Sequence, residues 1–348
     1  MPRKLATSLA ACAAVLACAA PAGAVVGGEQ VAPETVPWFA SGSCGGTLVA
    51  PDRILTAGHC VKGNNLDGLA GWLVGGVTRD AVQFALHPGW RTSNGENVLD
   101  DVALIQLDQP VTTVAPVPLG TSVPARGRIL GRGRSTAPGS GRQKPFDGKL
   151  RQATLRTISD RACAKAFRRA RGNGGERFDA RRMLCAIDVD GKAPLSSGCN
   201  GDSGGPLYAG TPAAPVLLGV VSYGGARCGA DHLPSVFAEV SHYRSFITDP
   251  DPVWAPAPLS AATISGEPKV GSTLTCGVSG YSSPPTKVAV TWKVPRGGKQ
   301  PVVGRGRSYT VRRADAGRQV LCELVASNAG GISSASYDIR TSRVKIPR

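Results

Sequence analysis

Glycine and proline interrupt this sequence about once in every five residues, and that spacing limits what it can fold into. There are 45 glycines and 27 prolines among 348 residues, in no collagen-like period. Proline removes a backbone donor and glycine loosens the chain, so short strands and turns are favoured over long helices. Leu150–Ile158 and Val216–Tyr223 read as strands. Two short helices are expected, one over Asp160 to Arg169 and one from near Ser241 to Pro250. The length suits two or three domains. Hydrophobic residues at 42% and charged residues at 18% exclude a polytopic membrane protein and a long disordered chain.

The first residues and the cysteines fix the compartment. Residues 1–24 read as a secretory signal: Arg3 and Lys4 at the start, an apolar stretch from Leu5 to Ala20, and a small-x-small site at Ala22-Gly-Ala24. A competing cut after Ala22 fits the same rule. The apolar run is broken by Pro21 and has no charged stop, so no stable membrane anchor is expected. Setting aside Cys12 and Cys18 leaves eight of the ten cysteines, an even number in an exported chain, hence four disulfides.

The remainder divides once. Residues 25–248 form one unit, and 249–258 carry Pro250, Pro252, Pro256 and Pro258, an extended and semi-rigid linker. Residues 259–348 form a smaller unit. Net charge is +16, but without a dense basic run, so nucleic acid is not an expected partner. From residue 251 onward 14 Lys/Arg face 5 Asp/Glu, so much of the excess sits in the tail.

Three segments carry chemistry: Leu55-Thr-Ala-Gly-His-Cys60, Asp101-Val-Ala-Leu-Ile105 and Gly198-Cys-Asn-Gly-Asp-Ser-Gly-Gly-Pro-Leu207. A histidine beside a cysteine, or an aspartate before a strand, is ordinarily structural. A serine among three glycines and an aspartate is different. That composition lets the backbone turn sharply and expose N–H groups, which a hydroxyl nucleophile needs for the oxyanion that forms on attack. Asp100 and Asp101 both compete for the role of acid.

His59, Asp101 and Ser203 fall in the chain order of the chymotrypsin-type proteases. With Val25-Val-Gly-Gly28 and Val221-Ser-Tyr-Gly224, the segments make residues 25–249 resemble the trypsin/chymotrypsin-like serine proteases, of the secreted bacterial type. The resemblance implies an all-β, two-barrel fold and a monomeric, extracellular endopeptidase acting on polypeptides. It implies no cofactor and no metal; the loop at 62–80 lacks the paired acids of calcium-binding relatives. Ser203 would attack, His59 would move the proton, and Asp101, directly before Val102-Ala103, would orient the imidazole. The N–H groups of Gly201 and Ser203 would hold the oxyanion. The cysteines would pair as Cys44–Cys60, Cys163–Cys185 and Cys199–Cys228. A new amine at Val25 would pair with Asp202. The family's Gly-Trp-Gly is Gly131-Arg-Gly133 here, followed by a long basic loop from Ser135 to Lys149.

The specificity position, six residues before the nucleophile, is Ser197 rather than an aspartate. Ser222 and Gly224 would line the pocket, and Ser235, usually glycine, would shorten it. A medium apolar residue before the scissile bond (P1) is expected, not Arg or Lys. An acidic P1, suggested by the serines and Arg227, ranks lower because Val221 stands where relatives that cut after glutamate have histidine.

In the tail, alternation over Leu274–Val278, Val288–Val294 and Val320–Leu324 predicts strands with one buried face. Trp292 between Cys276 and Cys322 resembles the core of an immunoglobulin-like (Ig-like) β-sandwich, which implies the fourth disulfide. The tyrosine of its usual corner is Val320. The simplest role is a folded spacer; a sharper one is binding of cell-wall or other anionic polymers.

Overall fold

The computed structural model describes residues 25–61, 69–93, 97–134, 147–170, 178–192, 195–229, 232–334 and 343–347. The expected signal segment and most of the basic loop, 135–146, lie outside the described residues, as does 62–68 of the loop weighed for calcium.

Strands dominate and follow one another closely. The first are β1 (Glu29–Gln30), β2 (Phe39–Ser41), β3 (Gly45–Ala50), β4 (Arg53–Thr56), β5 (Trp72–Val74), β6 (Val77–Arg79) and β7 (Ala81–Leu86). A hairpin of β8 (Arg91–Ser93) and β9 (Asn97–Leu99) precedes β10 (Ala103–Leu107). Then come β11 (Arg126–Gly131), β12 (Arg151–Ile158), β13 (Met183–Asp188), β14 (Pro206–Thr211), β15 (Ala214–Tyr223) and β16 (Ser235–Glu239). They make two seven-stranded antiparallel sheets, ordered β6-β5-β2-β3-β4-β10-β7 and β1-β12-β11-β14-β15-β16-β13. A further pairing of β12 with β13 closes the second sheet into a barrel, while the first remains a half-barrel with β7 at its edge. This is the all-β, two-barrel chymotrypsin-like fold.

Alternation explains which faces are buried. On β12, Arg151, Ala153 and Leu155 point inward while Thr154 and Arg156 are exposed. The helices are short. α1 (Gly58–Val61) carries His59, and α2 (Asp160–Ala170) matches the expected span to within a residue. α3 covers only Arg244–Ile247, less than expected. His242 N–H donates to Glu239 O and Tyr243 N–H to Val240 O, three residues back, so the chain there turns before it can wind an α-helix.

The tail forms a second β unit. Its strands are β17 (Thr263–Ser265), β18 (Thr273–Gly277), β19 (Lys287–Lys293), β20 (Val302–Arg305), β21 (Ser308–Thr310), β22 (Gln319–Asn328), β23 (Gly331–Ser334) and β24 (Arg343–Lys345). One sheet is β17-β18-β21; the other is β20-β19-β22-β23, with β24 also on β22. Cys276 on β18 and Cys322 on β22 bond the sheets together. Trp292 is fully buried between them, paired with Cys322 and stacked on Tyr309 at 5.5 Å. No tyrosine stands at position 320. Instead Tyr309 Oη donates to the buried Asp315 carboxylate at 2.6 Å, which also accepts the Arg312 N–H at 2.9 Å.

The proline-rich segment differs from an exposed spacer. Ala255 and Ala257 are fully buried among Phe84, Leu86 and Val61 of the first sheet's core. Ala255 N–H donates to Phe84 O at 2.8 Å. The Arg53 guanidinium bonds the carbonyls of Asp249 and Pro250 and lies 5.7 Å over the Trp254 ring. Proline stiffened this stretch, but small apolar residues between the prolines let it pack as a strap.

Candidate active site

Strand β10 and helix α1 bring together residues 42 positions apart. The His59 ring donates through Nδ1 to Asp101 Oδ2 at 2.8 Å, and the His59 backbone N–H donates to Asp101 Oδ1 at 2.8 Å. Ser222 Oγ donates a third bond to Oδ2, at 2.5 Å. Asp101 is buried, which by itself would raise its pKa. The charge of His59, with hydrogen bonds from His59 and Ser222, outweighs that and holds the carboxyl below its ordinary value. The imidazole is therefore fixed in the tautomer that carries its proton on Nδ1, which makes Nε2 the basic nitrogen.

Asp100, one residue earlier, faces elsewhere. Its backbone is left-handed (φ 52°), which turns consecutive carboxylates apart. It pairs with Arg182, accepts the Tyr243 hydroxyl at 3.2 Å and lies 4.0 Å from His87. Of the two candidate acids, only Asp101 touches His59. His87 is packed against Tyr243 and Phe246, and burial lowers its pKa.

Ser203 sits where the two sheets meet. Gly45 N–H on β3 donates to Ser203 O at 2.9 Å, and a Cβ on Gly45 would lie 2.9 Å from Gly205 Cα. The Cys44–Cys60 disulfide ties the same corner to the histidine helix. Gly201 takes φ +95°, a conformation that disfavours side chains. Among the described residues, neither the Gly201 nor the Ser203 N–H meets a protein acceptor, so both remain able to bind an oxyanion.

Asp202 points away from the nucleophile into the barrel. Its carboxylate accepts N–H bonds from Gly133 at 2.7 Å and Cys199 at 2.9 Å, and from Val25. Burial still dominates and pushes its pKa up to about 7. Val25 is fully buried beside it with φ 54°. A Cβ on Gly131 or Gly133 would approach Asp202 side-chain atoms to 2.1 or 2.6 Å. Both glycines are thus required, while Arg132 between them turns outward to bond Gly148 O at 2.6 Å. The substitution of arginine for the family's tryptophan leaves this packing intact.

Beside Ser203 lies a cavity of about 230 Å³ lined by Ser222, Gly224, Ser235 and Val221, with no charged side chain among the described residues on its walls. Ser197 is not among the residues that line it. Ser197 is buried against a neighbouring cavity of about 390 Å³ that also contains Asp188, and its hydroxyl bonds Gly198 O. Ser235 borders both spaces and donates no charge to either. It accepts the Gly198 N–H at 3.1 Å, which fixes the pocket wall. The disulfides Cys163–Cys185 and Cys199–Cys228 are also formed. Among the described residues, one group of three metal-ligating side chains occurs, Cys44, His59 and Cys60, and its two sulfurs are bonded to each other. Sequence reasoning missed Ser222 as a partner of Asp101, and Gly131 and Gly133 as the cradle of Asp202. The paired glycines flanking a variable residue were the available signal for the second.

A family model described as Trypsin matches residues 25–247. The chain is 32% identical over 243 residues to trypsin beta of Drosophila erecta, across 65% of this chain and 87% of that protein. It is 30% identical over 248 residues to trypsin delta of Drosophila melanogaster, with the same shares. Among solved structures it resembles neuropsin, a serine protease expressed in the limbic system of mouse brain. That likeness has a TM-score of 0.50 and 28% identity, and covers 64% of this chain and 98% of neuropsin.

Proposed function

The chain belongs to the trypsin family of serine proteases and is a serine endopeptidase, and on that premise we propose that Ser203, His59 and Asp101 carry its peptide hydrolysis. Ser203 Oγ attacks the scissile carbonyl as His59 Nε2 takes its proton. The N–H groups of Gly201 and Ser203 receive the oxyanion. His59 then protonates the leaving amine, and water releases the acyl group by the reverse path. The supporting observation is the doubly bonded, buried Asp101 beneath His59. Fluorophosphonate labelling tests it: the wild type should label and Ser203→Ala should not.

The pocket of about 230 Å³, uncharged among the described residues, favours a medium apolar P1 residue such as Leu or Met. A buried Arg or Lys there would lack a counter-ion, a loss of about 3–5 kcal/mol. The acidic alternative gains nothing from Arg227, which does not line this cavity, whereas Val221 does. A peptide library varied at P1 decides; strong cleavage after Arg or Lys would sink the reading.

The protein is proposed to be secreted, of bacterial type and monomeric, with residues 1–24 as its signal, 25–248 as the protease domain and 259–348 as an Ig-like domain. Cleavage after Ala24 would free the Val25 amine where Asp202 lacks a cation, so export would itself activate the enzyme. Freshly secreted protein beginning at Val25 would support this; an inactive species beginning at Gly23 would refute it. The basic tail is proposed to hold the enzyme on anionic polymers; salt-dependent retention on cell walls tests that. No helix among the described residues is long and apolar enough to cross a membrane.

A further inference from the structure

The half-barrel leaves strand β7 at its edge, with open backbone groups on the side away from β10. Those groups are met by the C-terminal part of the same chain. Ala255 N–H donates to Phe84 O at 2.8 Å, and Leu86 N–H donates to Gly330 O at 2.8 Å. Gln83 Nε2 adds a bond to Ser282 O at 3.3 Å. The turn that reaches β7 is itself anchored: Asn328 Nδ2 donates to Trp254 O at 2.8 Å, and Asn328 Oδ1 accepts the Gly330 N–H at 2.8 Å.

Glycine is required in that turn. A Cβ on Gly330 would fall 1.8 Å from Val253 O. Gly331 has φ +141°, and a Cβ there would meet Leu86 Cδ1 at 3.0 Å. The other branch of the same leucine points to the catalytic loop: a Cβ on Gly58 would lie 3.2 Å from Leu86 Cδ2. Gly58 immediately precedes His59, and Leu86 pairs with Ala103, two residues beyond Asp101. His87 N–H also donates to Val102 O at 3.1 Å, so β7 holds the strand that delivers the acid.

We propose that the C-terminal unit is a positioning element for the protease, its Gly330-Gly331 turn holding β7 and Leu86 against the segments that carry His59 and Asp101. This rests on the reading of those two residues as catalytic. The side chain of Leu86 is the coupling piece, with one branch beside Gly331 of the tail turn and the other, together with the Trp90 ring, beside the glycine before His59. A close-packed interior transmits such a contact, because neither neighbour can yield without opening a gap. Loss of the tail contact should therefore relax the triad rather than the substrate pocket, and lower kcat more than it raises KM.

The test uses the full mature chain. Gly330→Val forces the turn off β7, and Asn328→Ala loosens it without adding bulk. In each, amide exchange at Leu86 reads docking, and kcat and KM on a short chromogenic peptide read positioning. Faster exchange at Leu86 with kcat down about tenfold and KM within about twofold is expected, well inside the roughly 10²-fold that a 1 Å misplacement can cost. Leu86→Ala should lower kcat similarly while the tail stays docked, and Leu86→Met should restore most of it. Unchanged kcat despite faster exchange overturns the proposal. So does an unchanged Leu86→Ala enzyme, or a Leu86 amide that stays protected in both tail variants. A wild type that fails to label with fluorophosphonate would instead sink the catalytic assignment, while Leu86 exchange still reports docking.

Discussion

Two aspartates are buried on either side of the nucleophile loop, and they sit in opposite electrostatic states. Asp101 has a histidine and a serine hydroxyl on its carboxylate, and its pKa lies below the ordinary value despite burial. Asp202 has only backbone N–H donors, and burial carries it up to about 7. Hydrogen bonds alone do not replace solvent for a carboxylate; a cation or a potential cation does. Asp101 has its partner within the folded unit. For Asp202, the amine of a chain cleaved before Val25 would be the cation that the proposed activation supplies.

The largest expected effect falls on Asp101. Asp101→Asn keeps the shape but offers His59 the wrong hydrogen-bonding pattern, so kcat should fall about 10⁴-fold. Near-normal turnover in this variant, with Asp100→Asn dead, would reverse the assignment of the acid.

Removing the cation from the second aspartate should cost less. Mature enzyme whose Val25 amine is blocked by a two-residue extension should lose about 3–5 kcal/mol of oxyanion-loop ordering. At 1.4 kcal/mol per tenfold, that is about 10² to 4 × 10³ in kcat/KM. Full activity in the extended form would break the comparison, because Asp202 would then need no partner.

The two carboxyls should also give stability profiles of opposite slope. In the extended chain the folded state binds a proton at Asp202 that the unfolded state has released, between about pH 4 and pH 7. Stability should fall as pH rises through that window, by about 4 kcal/mol in total. Asp101 works the other way: its contribution is present above the unfolded pKa and is lost as pH falls through the lower folded value. Urea midpoints from pH 2 to 8, for extended and mature forms, separate the terms. A mature enzyme with the same downward slope would mean the amine never reaches Asp202.

Asp100 should give the smallest change. Asp100→Asn keeps the Tyr243 hydrogen bond but removes the charge facing Arg182. Because Asp100 does not touch His59, kcat/KM should change by less than about tenfold, with a measurable drop in Tm. A thousandfold loss would show that Asp100 reaches the reaction through Asp101.

Some of this molecule was legible in its sequence. Alternation marked the tail strands, the run Leu150–Ile158 read as a strand and 160–169 as a helix, and the glycines around Ser203 marked a turn that exposes N–H groups. These are local properties, set by backbone sterics and by a period of two or 3.6 residues. His59, Asp101 and Ser203 could be singled out because each lies in a short segment of distinctive composition.

What the sequence alone did not determine joins residues far apart. Ser222 reaches Asp101 across 121 positions, and Gly133 reaches Asp202 across 69. Ser197 lies six residues before Ser203 in the sequence, yet the adjoining Gly198 N–H is held by Ser235 from β16, a contact that only the fold makes. Proline density made residues 249–258 read as a spacer. Whether such a segment stays in solvent or packs depends on whether another surface offers a fitting groove and unpaired backbone groups. The edge of β7 offers both, and that edge exists only once the half-barrel has folded.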